Sequence, residues 1–102
     1  MELKPGSRWK SAVCAAEVVV VRPPKTAADL ECGGHAMVVF NAERPAGLTA
    51  AADRKDGVAT GKRYTDDETG LEVLVSKGGE GSLSLGGRPL KLKEAKALPS
   101  SD

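Results

Sequence analysis

A chain of 102 residues has room for one domain, residues 1–102, and for no second independent core. Hydrophobic residues make up 40%, mostly Ala, Val and Leu, and the only aromatics are Trp9, Phe40 and Tyr64, so the chain is globular but poor in flat stacking surfaces. Fifteen basic and fourteen acidic residues leave a net charge of +1, so no global field draws the chain to nucleic acid or to a membrane, and neither is expected as a partner.

Charge is only mildly segregated along the chain. Lys4, Arg8, Lys10, Arg22 and Lys25 make the first quarter basic, and Asp66, Asp67, Glu68 and Glu72 make one later stretch acidic. Both read as solvated mixed surface. Residues 1–5 show neither the basic leader nor the apolar run of a secretory signal. The longest apolar stretch, residues 13–21, contains Glu17 and is too short to span a bilayer. A cytoplasmic location follows as the expectation, with Cys14 and Cys32 as reduced thiols.

Pro5-Gly6 punctuates a short lead-in, and Trp9, set between Arg8 and Lys10, is expected to pack over one end of the fold. Residues 11–21 are rich in β-branched side chains and closed by Pro23-Pro24, which predicts a strand. Val18 to Val21 are apolar on both faces, so this strand is expected between two layers or against another subunit. Residues 30–32 and 36–40 predict two short strands around Gly33-Gly34-His35, where paired glycines make a tight turn easy.

Residues 41–59 predict one long surface loop, with at most a single helical turn at 50–54. Residues 60–64 and 71–76 are the next two strands, joined by Asp66-Asp67-Glu68-Thr69-Gly70, which lacks the ligand spacing of a calcium loop. Gly78-Gly79-Glu80-Gly81 reads as a turn, because no phosphate-binding pattern follows it. The best-specified piece is the last hairpin. A Gly86-Gly87 loop pairs Leu85 with Arg88 and Leu83 with Leu90, placing Leu83, Leu85, Leu90 and Leu92 on one face and Lys93 opposite Glu80. Pro89 cannot donate to a ladder, so its strand is expected at an edge or to start outside the pairing. Residues 89–102 combine the last strand with a flexible tail. Together the pattern predicts an all-β fold, a small antiparallel barrel or sandwich of about six or seven short strands.

Only one constellation carries candidate chemistry: Cys14, Cys32 and His35. The spacing in Cys32-Gly33-Gly34-His35 lets two side chains face one point, and Cys14 on a neighbouring strand makes a Cys₂His set that suits zinc. A thiol-dependent reading instead uses Cys32 as the thiolate with His35 as its base. The plainest alternative makes Cys14 a buried small hydrophobe, Cys32 a strand-end thiol and His35 a turn residue. No serine sits in a nucleophile elbow, no catalytic residue is assigned, and no cofactor other than zinc is implied. The leading expectation is therefore a non-catalytic binding or accessory module that self-associates as a homo-oligomer or docks on a larger protein. The metal-binding or thiol-dependent protein is the alternative.

Overall fold

The computed structural model describes residues 2–45 and 47–93, and the expected tail at 94–102 lies outside them. Ten short strands follow in order: β1 (Arg8–Lys10), β2 (Glu17–Arg22), β3 (Leu30–Cys32), β4 (His35–Ala36), β5 (Val38–Val39), β6 (Arg63–Thr65), β7 (Glu72–Lys77), β8 (Leu83–Leu85), β9 (Arg88–Pro89) and β10 (Lys91–Lys93). The described residues contain no helix, and none is long and apolar enough to cross a membrane.

The strands form two antiparallel sheets. One has six strands in the order β10-β6-β7-β2-β1-β5, and the other has four in the order β4-β3-β8-β9. All-β architecture is as expected, but the sheets do not close into a barrel. Period-two alternation builds the core. Trp9, Val18, Val20, Val73 and Val75 from the larger sheet are buried together with Leu30, Cys32, Leu83 and Leu85 from the smaller one. Each such Val or Leu stabilises the fold by roughly 1.5–3 kcal/mol. Trp9 is held from its polar end as well, because its indole N–H donates to Ser7 Oγ at 3.1 Å.

The strands number ten rather than six or seven, and the one expected over 36–40 is split between His35–Ala36 in the smaller sheet and Val38–Val39 in the larger. Three further expectations need correction. The strand expected over 11–21 begins only at Glu17, because residues 11–16 form the β1–β2 connection. There Ser11 N–H donates to the Ala16 carbonyl, and Ser11 Oγ accepts from the Val13 and Cys14 N–H groups, which pulls the backbone out of the extended ladder. The valine strand is central, between β1 and β7, but it alternates: Val18 and Val20 are buried, Val19 is half-buried, and Val21, at a register shift, is 43% exposed.

The third correction concerns the last hairpin. Its turn is as expected, with Leu85 opposite Arg88 and Leu90 N–H donating to the Leu83 carbonyl, and with Gly86 and Gly87 at φ of 57° and 83°. Pro89 lies in the edge strand β9. Beyond it the chain crosses to the larger sheet, where Leu92 pairs with Tyr64 and is 45% exposed. Leu92 therefore leaves the core face that Leu83 and Leu85 share. Lys93 faces Arg63 and binds Glu72, not Glu80. Pro89 ends the first ladder for want of an N–H, and the carboxylates of Asp67 and Glu72 receive the lysines on the other side.

The described residues of 41–59 form no strand and run as connections, but they are tied to the body. Ala51 N–H donates to the Gly33 carbonyl, Ser82 N–H to the Arg54 carbonyl, and Val58 bridges Gly79. Residues 51–54 close a single turn through Arg54 N–H and the Ala51 carbonyl, without a helix.

Candidate functional site

Two cysteines that are 18 residues apart in sequence meet in space, with Cys14 Sγ 3.8 Å from Cys32 Sγ. The Ser11–Ala16 turn presents Cys14, whose side chain is partly buried at the edge of the core. Strand β3 presents Cys32 on the same inward face as Leu30, with Glu31 turned the other way, and Cys32 is completely buried.

Glycines roof the pair. A Cβ on Gly79 would come within 2.8 Å of Cys14 Sγ, and one on Gly81 within 2.8 Å of Cys32 Sγ. Backbone is equally close: the same added atoms would lie 2.6 Å from Ala16 N and 3.0 Å from Gly33 N. The 78–81 segment therefore has a packing reason for its composition, since no side chain fits between this backbone and the two sulfurs.

The two thiols occupy unequal environments. Burial alone would raise the Cys14 pKa. Hydrogen bonds from the Ser11 side chain, from the backbone at Ala16 and Gly81, and from the Cys32 thiol outweigh it, so the Cys14 pKa is lowered. Burial dominates at Cys32, where only Ser11 opposes it, and a charge on Cys14 adds to the rise; its pKa is pushed up to about 12. Of the two thiols, Cys14 is therefore the more easily ionised. The thiol-dependent reading of the sequence gave the thiolate to Cys32, where burial disfavours the charged form.

His35 pairs with Cys32 across the β3–β4 turn, and its Nε2 lies 3.0 Å from the Thr49 carbonyl oxygen. The imidazole is therefore engaged with the 41–59 segment. Of the Cys14, Cys32 and His35 set, the two sulfurs are in contact. Among the described residues no group of three or more His, Cys, Asp or Glu side chains is arranged to hold a metal ion. Ser11 carries weight that the sequence reading missed. A serine three residues before a cysteine, able to fold the chain back on itself, was the available signal.

A pocket of about 360 Å³ lies elsewhere, lined by Arg22, Thr65, Asp66, Glu72 and Lys93 among others. Its carboxylates are already used. Arg88 grips Asp66 through Nε and Nη2 at 2.9 and 2.7 Å, and Lys93 Nζ binds Glu72 at 2.9 Å. Among the described residues, the carboxylates that line the pocket are all held by cations. No protein-family model matches the chain, and no curated protein or solved structure is significantly similar to it.

Proposed function

We propose that the protein is a thiol–disulfide redox module in which Cys14 is the reacting thiol and Cys32 the resolving thiol. One observation carries the reading: two sulfurs in contact at 3.8 Å, one partly accessible and one fully buried, beneath a glycine roof. A disulfide bond is about 2.05 Å long, so closure needs the sulfurs to approach by less than the length of one such bond.

The co-reactant is a disulfide. Cys14 thiolate attacks one of its sulfurs, forming a mixed disulfide and releasing a thiolate. Cys32 then loses its proton and attacks Cys14 Sγ, forming the Cys14–Cys32 bond and releasing the second thiolate. The protein is oxidised by two electrons, and the disulfide is reduced to two thiols. Partial access at Cys14 favours the first attack, and the burial of Cys32 reserves it for the second. A closed loop of this size would stabilise the fold by roughly 3 kcal/mol in the chain-entropy account, so the oxidised form should melt higher.

The test is equilibration in glutathione buffers of graded ratio, followed by acid quench, alkylation and mass measurement. Both thiols should disappear together, with the loss of two hydrogens and no retained glutathione. Cys32→Ser should trap the mixed disulfide on Cys14, while Cys14→Ser should leave Cys32 unmodified. Two free thiols at every ratio would end the proposal, as would glutathione accumulating on Cys32 first.

A further inference from the structure

The outward face of the six-stranded sheet is far more basic than the chain. Residues paired across antiparallel strands share a face, so the register defines three outward rows. The middle row runs Arg8, Val19, Leu74, Arg63, Lys93. On one side of it Lys10, Glu17 and Lys77 align, and on the other Arg22, Glu72, Thr65 and Lys91. These rows hold seven cations and two carboxylates, an excess of five positive charges, in a chain whose net charge is +1. The rest of the chain therefore carries a net −4. The linear sequence hides this segregation, because the seven cations come from five strands that only the pairing brings side by side.

The face is open. Six of the seven cations are exposed and Lys10 is half-buried, while Val19 and Leu74 sit half-buried at the centre. Some of the charge is neutralised at one end, where Glu72 takes Arg63 and Lys93 and Asp67 takes Lys91. Lys10 and Lys77 have no ion-pair partner among the described residues, and Arg8 lies 3.9 Å over the ring of Phe40.

Occupants are separated by charge and by surface chemistry. A second copy meeting this face through its own would set seven cations against seven, which opposes association. Single-stranded nucleic acid needs exposed rings for its bases. Here Trp9 is buried, Tyr64 packs against the core, and Arg8 covers Phe40. An apolar centre ringed by cations suits a protein interface, with desolvated contacts in the middle and charge steering at the rim. We infer that this face docks on a different protein, through an acidic surface with an apolar centre.

This docking does not depend on the thiol chemistry, and its experiment separates the two. A poly(Glu,Tyr) copolymer serves as the acidic, partly apolar probe, titrated into the isotopically labelled protein while backbone amide shifts are followed. Shifts should map to the three rows, centred on Val19 and Leu74, and should collapse as salt screens the charges. Arg8→Glu with Lys77→Glu should weaken binding at least about tenfold, with an unchanged amide spectrum elsewhere. The double Cys14→Ser, Cys32→Ser variant should bind as the parent does. No binding, or shifts lying off these rows, would overturn the inference. So would tighter binding on the same rows of a thymidine oligonucleotide or of phosphatidylserine vesicles, since the face would then belong to another class of partner.

Discussion

At the scale of single residues, the thiol pair depends on what is missing at Gly79 and Gly81. The backbone of 78–81 touches both sulfurs, so adding one methyl forces the roof and the pair apart. Gly81→Ala should destabilise by about 1–3 kcal/mol, the usual range for overpacking a filled site. It should also slow formation of the Cys14–Cys32 disulfide, because the sulfurs must first separate to admit the methyl. Glu80→Ala, at an exposed position in the same segment, should change neither. Urea midpoints and disulfide formation rates read the two effects, and a Gly81→Ala protein with parental values would remove the packing argument. The sequence pointed to Cys14 and Cys32 by residue type, and to 78–81 as a turn. It could not bring them together, because the contact depends on Ser11 folding residues 11–16 back and on β3 turning Cys32 inward. Ser11 owes its role to backbone hydrogen bonds, which leave no trace in hydrophobic periodicity.

At the scale of elements, runs of apolar and β-branched residues closed by Pro and Gly were the readable signal. They located β2, β3 and β7, leucine alternation located β8, and the Gly-Gly turn located the β8–β9 pairing. Alternation cannot say where a strand changes sheets, and Leu92 shows the cost. The leucine pattern continues unbroken through Pro89, yet the chain leaves one sheet and joins the other there. Two truncations separate the readings. Leu30→Ala, at a fully buried position facing Leu85, should cost about 2–5 kcal/mol. Leu92→Ala should cost well under half as much, since nearly half of Leu92 already meets water. Equal losses at the two sites would mean that Leu92 belongs to the core after all. The 41–59 segment was legible only as a loop. Its attachment runs through backbone groups of Ala51, Arg54 and Val58 that no side-chain pattern announces.

At the scale of the whole molecule, the two sheets share a core and are joined by charge at one seam. Asp66 follows β6 in the larger sheet, and Arg88 lies in β9 of the smaller one; Asp66 is buried and also accepts from the Thr69 N–H and hydroxyl. The Arg88 guanidinium holds the Asp66 carboxyl well below the usual carboxylate range, against a burial effect of the opposite sign. Lys93 does the same at Glu72, again against burial, with Arg63 and Arg22 adding to it. Both groups have folded pKa values below their unfolded ones, about 3.9 for Asp and 4.3 for Glu. The stability they contribute is therefore complete above those unfolded values and is lost as the pH falls through them toward the folded values. Urea midpoints should stay level from neutral pH down to about pH 5 and then drop steeply below about pH 4. Asp66→Asn should lower the midpoint at neutral pH and flatten the acid drop, because the variant has no proton to take up at that position. Salt should weaken the Asp66 share in part, since Asp66 is buried but the Arg88 side chain is 41% exposed. If Asp66→Asn kept the parental acid slope while losing stability at neutral pH, its effect would be one of packing alone, and the seam between the sheets would not be electrostatic.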